Sequence, residues 1–152
     1  MRALIQRVSG GSVTIDRQVQ GKIDKGMVIL LGVKEGDLET DCEYLAHRCA
    51  NLRIFEDSDG KMNLSLLDIS GSALVISQFT LYGDTRKGHR PSYTEAAKPE
   101  TAEKLYDYFC NSLRSIIGED KVATGIFRAM MSVEIINDGP VTLMIESKTK
   151  NN

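Results

Sequence analysis

Two short segments carry the residue types from which a reaction site can be built. Ser77-Gln78-Phe79-Thr80-Leu81 offers two hydroxyls and an amide, and Asn137-Asp138-Gly139-Pro140-Val141-Thr142 places a Gly-Pro bond among polar groups. Each interrupts an apolar, β-rich run with groups that a core strand does not need. That combination describes a site held at strand ends and made largely from backbone. At the first segment, amides at a strand end can stabilise an oxyanion. Thr80 adds a hydroxyl, which needs an activating base before it can attack a carbonyl. At the second, proline makes a cis bond accessible and removes an N–H, so the tip presents carbonyl acceptors without a donor of its own. Two outward carbonyls would form a receptor for an ammonium group.

Other chemistries fit less well. The histidines are His47 and His89. Ser77 or Thr80 could be grouped with His89 and Asp84 as a serine-type triad, but no nucleophile-elbow sequence supports it. His47 reads as a residue on the surface or boundary of a helix. Two histidines and three scattered thiols make a poor zinc set. Asp57-Ser58-Asp59-Gly60 begins like a calcium loop, lacks the distal glutamate, and reads as a hairpin turn. Arg86, Lys87 and Arg90 lie within five residues. They read either as a solvated loop or as a phosphate grip near a reaction centre, with Pro91-Ser92-Tyr93 pinning the loop to the body.

Composition bounds the rest. The chain has 152 residues, 41% of them hydrophobic, which suits one domain over 1–147 with a polar tail at 148–152. A formal net charge of −2 argues against nonspecific coating of nucleic acid. No apolar run is long enough to span a membrane, and the first residues read as a strand rather than a signal peptide. Cys42, Cys49 and Cys110 include no CxxC pair, so they read as core residues in a reducing, cytoplasmic setting.

The elements that must position the motifs follow from periodicity. Strands are expected at 2–8 and 12–16 around a Gly10-Gly11 turn, then at 20–23, and at 27–33 as a buried run. A helix over 37–51 carries Leu38, Cys42, Leu45, Ala46 and Cys49 on one face, with Asp37 or Thr40 as its N-cap. Residues 52–55, a turn at 57–60 and a short strand at 62–65 precede a buried strand at 73–79. A second helix over 99–117 starts at Pro99, stops at Gly118, and has Ala102, Leu105, Tyr106, Phe109, Leu113 and Ile116 as its stripe. Two last strands, 132–136 and 141–147, flank a turn at 137–140. The fold class is α/β in the mixed, α+β sense. The expected architecture is a layered β/β/α domain with packed mixed sheets and two main helices on one face.

Over nearly its whole length the chain resembles the D-aminoacyl-tRNA deacylases. The matching stretches include Ala3-Leu4-Ile5-Gln6-Arg7-Val8, Arg53-Ile54-Phe55, Gly60-Lys61-Met62-Asn63, Arg90-Pro91-Ser92, Tyr106-Asp107-Tyr108-Phe109 and the two site motifs. His89 differs from the neutral residues associated with that loop. The resemblance implies a cytoplasmic homodimer that hydrolyses the ester between a D-amino acid and the 3′ end of tRNA, also removes glycine, and rejects L-aminoacyl-tRNA. It implies no metal and no organic cofactor. Ser77, Gln78, Phe79 and Thr80 would form the catalytic pocket. A cis Gly139-Pro140 from the other subunit would hold the substrate ammonium, braced by Arg7, and Ala102 and Met131 would wall the pocket. Arg86, Lys87 and Arg90 would contact tRNA. Two mechanisms stay open: attack by Thr80, or water activated with help from the terminal ribose 2′-hydroxyl. An RNA-end-binding module and a tRNA-independent hydrolase of D-amino-acid esters are the rival readings.

Overall fold

The computed structural model describes residues 1–147; the expected tail at 148–152 lies outside them. Strand β1 (Arg2–Ile15) is the spine of the molecule. Its first half pairs antiparallel with β3 (Gly26–Gly32), and its second half with β2 (Gln18–Ile23). Along its other edge runs β8 (Ser132–Glu146). Strand β6 (Ser72–Ser77) lies parallel to β3, and β7 (Val122–Thr124) parallel to β6. These make one six-stranded mixed sheet, with β4 (Phe55–Glu56) and β5 (Met62–Leu64) pairing separately.

The pleat of β3 sorts the core into two layers. Met27, Ile29 and Leu31 face helices α1 (Glu39–Asn51) and α2 (Pro99–Ile117), packing with Leu45, Phe109 and Leu113. Val28, with Leu74 and Ile76 of β6, faces the other way and packs with Val8, Val13 and Ile23. The far half of β1 and all of β2 therefore fold back over β3 and β6. The expected strand–strand–helix layering and the two helices on one face are present. The two strand layers, however, belong to a single curled sheet rather than to separate sheets.

Three local expectations fail for physical reasons. Gly10 and Gly11 do not turn the chain; they stay paired with Ile136 and Ile135 of β8. A Cβ on Gly11 would lie 3.0 Å from the Val28 methyl, so glycine here permits one layer to cross the other. The reversal comes later, at Asp16 and Arg17, with φ of 49° and 65°. Residues 137–140 likewise do not join two strands, because β8 runs through them. Helix α1 is capped by neither Asp37 nor Thr40. Leu38 is the N-cap, and its amide donates to Asp41 Oδ2 at 2.8 Å. Asp37 instead receives the Met1 ammonium at 2.8 Å and the Lys34 amide at 2.7 Å, both drawn into the core edge.

Helix α2 matches its expected bounds, with proline in its first turn and Gly118 after its last residue. Its buried residues Ala102, Leu105, Tyr106, Phe109, Cys110 and Leu113 recur three and four apart. Asp57 closes its turn by accepting from the amides of Asp59 and Lys61 at 2.9 and 3.0 Å.

Candidate active site

The first motif lies where β6 ends. The Gln78 amide donates to Leu31 O at 2.8 Å, one residue beyond the Leu31–Ser77 pair. The chain then leaves the ladder and winds into a 3₁₀ turn, Phe79–Tyr82, so the strand ends two residues earlier than expected. The first bond of that turn runs from Leu81 N to Gln78 O. The Phe79 and Thr80 amides precede it and have no partner within the turn.

A cleft of about 710 Å³ opens at this strand end. Ser77, Gln78 and Phe79 line it from the end of β6 and the turn that follows, Ala102 from the start of α2, and Met131 from the approach to β8. Five of the expected site residues thus meet in one cavity. Thr80 does not line it: its side chain is exposed, and its hydroxyl accepts a hydrogen bond from the Gln78 amide group. No carboxylate and no imidazole is among the lining residues, so no base adjoins a hydroxyl there.

Contacts behind the cleft tie its walls together. Tyr106 donates to Val75 O at 2.8 Å, and burial pushes its phenol above the ordinary range. Phe79 meets the edge of Tyr93 with ring centroids 5.1 Å apart. Tyr93 follows the loop closed by Asp84 and Ser92, whose backbones pair at 2.7 and 3.0 Å. Within that loop Arg86 forks onto Asp84, with bonds of 2.8 and 2.7 Å. The guanidinium bonds hold the Asp84 carboxyl down at about 2. Asp84 thus serves Arg86, not His89, which removes the triad. Lys87 and Arg90 are exposed on the same loop.

The second motif is a large bulge. Gln6 of β1 pairs with Thr142, and Val8 with Asn137. Asp138, Gly139, Pro140 and Val141 therefore stand opposite Arg7 alone. The Gly139-Pro140 bond is cis. Arg7 is 7% exposed. Its Nε donates to Asp138 O at 2.9 Å and its Nη1 to Ile54 O at 2.7 Å. The Asn137 side-chain amide closes the bulge by donating to Arg7 O at 3.1 Å and to Val141 O at 3.0 Å. Neither Gly139 nor Pro140 lines the cleft of its own chain.

Over residues 4–146 the chain matches the sequence profile of the family described as D-Tyr-tRNA(Tyr) deacylase. The chain belongs to that deacylase family. A relative from Fervidobacterium nodosum, named D-aminoacyl-tRNA deacylase, is 57% identical over 148 residues, covering 97% of this chain and 98% of its own. One of the same name from Chloroflexus aurantiacus is 58% identical, covering 97% and 91%. Among solved structures, a c-Myc DNA unwinding element binding protein superposes with a TM-score of 0.94 at 37% identity, covering 98% of this chain and all of that one. A probable eukaryotic D-amino acid tRNA deacylase shares the fold, with a TM-score of 0.82 at 17% identity.

The cleft of this deacylase-family chain also contains Tyr93, which the sequence showed only as pinning the basic loop, and Lys98, Phe127, Arg128 and Met130, which sequence reasoning passed over. Pro99 was legible as a helix start, but nothing local shows that the helix start borders a site. None of its three thiols lines the cleft. Cys42, Cys49 and Cys110 are buried, and burial pushes each up to about 12.

Proposed function

We propose that the protein hydrolyses the ester of D-aminoacyl-tRNA, releasing the D-amino acid and free tRNA. The observation that carries this reading is the strand-end cleft of a deacylase-family chain, with Ser77, Gln78, Phe79, Ala102 and Met131 gathered around it. Water attacks the ester carbonyl, the bond to the ribose oxygen breaks, and that oxygen takes up a proton. The Phe79 amide, which has no partner within the turn and belongs to a lining residue, is a donor for the charge that builds on the carbonyl oxygen. The absence of a lining base favours water assisted by the ribose 2′-hydroxyl over attack by Thr80, whose hydroxyl is occupied as an acceptor.

Chiral selection is assigned to Gly139 and Pro140 acting in the cleft of a second copy. In support, Arg7 and Asn137 fix this motif firmly while it lines no part of its own cleft. Its carbonyls would take the α-ammonium, and its bulk would exclude an L side chain while admitting glycine. The working unit is then a cytoplasmic homodimer. Lys87 and Arg90 add charge towards the RNA, whereas Arg86 is largely neutralised by Asp84.

The test is timed release of D- and L-tyrosine from matched charged tRNAs. Rapid release of the D isomer alone is expected. A protein that retains the charged tRNA and frees neither isomer is a binding module. One that cleaves D-tyrosine esters with no preference for tRNA is a general esterase.

A further inference from the structure

The cleft is basic on a chain that is acidic overall. The sequence holds 21 Asp and Glu against 19 Lys and Arg. The cleft nevertheless contains two cations, Lys98 and Arg128, and neither aspartate nor glutamate. Several arginines elsewhere are committed to carboxylates: Arg2 to Glu146, Arg7 to Asp138, Arg86 to Asp84 and Arg114 to Glu119. Among the described residues, Lys98 and Arg128 join no ion pair.

The two cations come from separate elements that meet at the cleft. Lys98 is the N-cap of α2, immediately before Pro99. Arg128 lies between β7 and β8 with φ at 65°, the left-handed region that costs a residue with a side chain. Both residues are exposed. A pair of free cations in an otherwise largely apolar cleft suits a ligand that brings its own anionic group. Arginine can grip a phosphate through two parallel N–H bonds, and lysine adds a compact charge beside it.

We propose that Lys98 and Arg128 form a phosphate subsite for the phosphodiester on the 5′ side of the aminoacylated terminal adenosine. The choice of that phosphate rests on the hydrolytic reading above. It is the phosphate nearest the scissile ester, one ribose away, so a cleft that admits the ester brings it to the same walls. A grip there sets the depth of the adenosine without sensing the amino acid, since phosphate contacts position a substrate and carry no information about its other groups. It also gives the cleft a reason to prefer RNA-borne esters over small ones.

The experiment compares D-tyrosyl-tRNA with 3′-O-D-tyrosyl-adenosine, which keeps the ester, ribose and base but lacks the phosphate. In Lys98→Gln and Arg128→Gln the ratio of kcat/KM for tRNA to that for the nucleoside is expected to fall about tenfold. Lys98→Arg and Arg128→Lys should restore most of it. In parallel, each neutral variant should flatten the salt dependence of binding to a short 3′-CCA ribo-oligonucleotide by about 0.7 in log–log slope. An unchanged substrate ratio together with an unchanged slope overturns the proposal, as does an equal loss on both substrates in a variant that unfolds at the wild-type urea midpoint. A wild-type protein that shows the Lys98- and Arg128-dependent slope but releases no D-tyrosine keeps the phosphate subsite and removes the hydrolytic reading.

Discussion

Arg7 Nε donates to the Asp138 carbonyl at 2.9 Å from a side chain that is almost wholly buried. One arginine on β1 thereby holds four residues of β8 in place. Its second bond, to Ile54 O, ties the same guanidinium to the segment before β4. A lysine cannot span two carbonyls with a planar fork. Arg7→Lys is therefore expected to cost about 1–3 kcal/mol in urea unfolding, because the buried Ile54 carbonyl loses its partner. It should also lower kcat/KM for D-tyrosyl-tRNA about 100-fold through misplacement of the motif. Wild-type rates would separate the bulge from the site.

Gly139 has a φ of 137°, and a Cβ there would lie 2.9 Å from the Val141 amide nitrogen and 3.0 Å from Arg7 Nη2. Gly139→Ala should inactivate the protein, and Ala102→Phe should do the same by filling the cleft. Co-expression of the two is the decisive arrangement. If the motif works across the interface, a mixed dimer pairs one intact cleft with one intact motif and regains activity. Purified mixed dimers with no more activity than either parent would confine the motif to its own chain.

Thr80 is exposed and its hydroxyl accepts from the Gln78 side chain, with no carboxylate or imidazole lining the neighbouring cleft. Thr80→Val is expected to keep kcat within about tenfold of wild type, because no general base is lost with it. A covalent D-tyrosyl adduct on Thr80, seen by mass spectrometry after rapid quench, would reverse this assignment.

Asp84 is lowered from its ordinary 3.8 to about 2, first by the Arg86 side-chain bond. A depressed carboxyl pKa stabilises the loop above pH 3.8, and that contribution disappears as pH falls through about 2. The Asp84 carboxyl resonance should accordingly titrate near pH 2, with the loop released below it. At neutral pH, Asp84→Asn uncovers Arg86. Binding of tRNA should then tighten, and its salt slope should steepen by about one phosphate contact. Weaker binding would show that the ion pair is needed to present the loop.

The three thiols should be silent in the native state. With burial pushing each up to about 12, none should react with a disulfide reagent at pH 8 before unfolding, and all three should react after it. Rapid modification of a native cysteine with loss of activity would contradict the packing around Cys42, Cys49 and Cys110.

Much of this was legible in the sequence where the signal is local. Helix α2 was readable at both ends because Pro99 and Gly118 are end signals and its apolar residues keep a helical period. Ser77, Gln78 and Phe79 were readable because polar groups interrupt a buried run. The failures concern pairing at a distance. Gly10-Gly11 and residues 137–140 look like turns, yet partners across the sheet keep both in strands. Strand β7 has three residues, and its identity comes from lying beside β6. Lys98 and Arg128 lie 30 positions apart and share a cleft only after β8 has returned along β1.

Strand β8 has one consequence outside catalysis. It is a 15-residue strand that hydrogen-bonds only to β1 among the described residues, so its far side is a long edge open to other strands. Edges of that length invite chain-to-chain stacking. Here the four-residue bulge breaks the edge near its middle, and Pro140 withholds an N–H within it. An incoming strand finds two short ladders out of step with each other rather than one continuous template. The residues that make the bulge thus divide that edge in two.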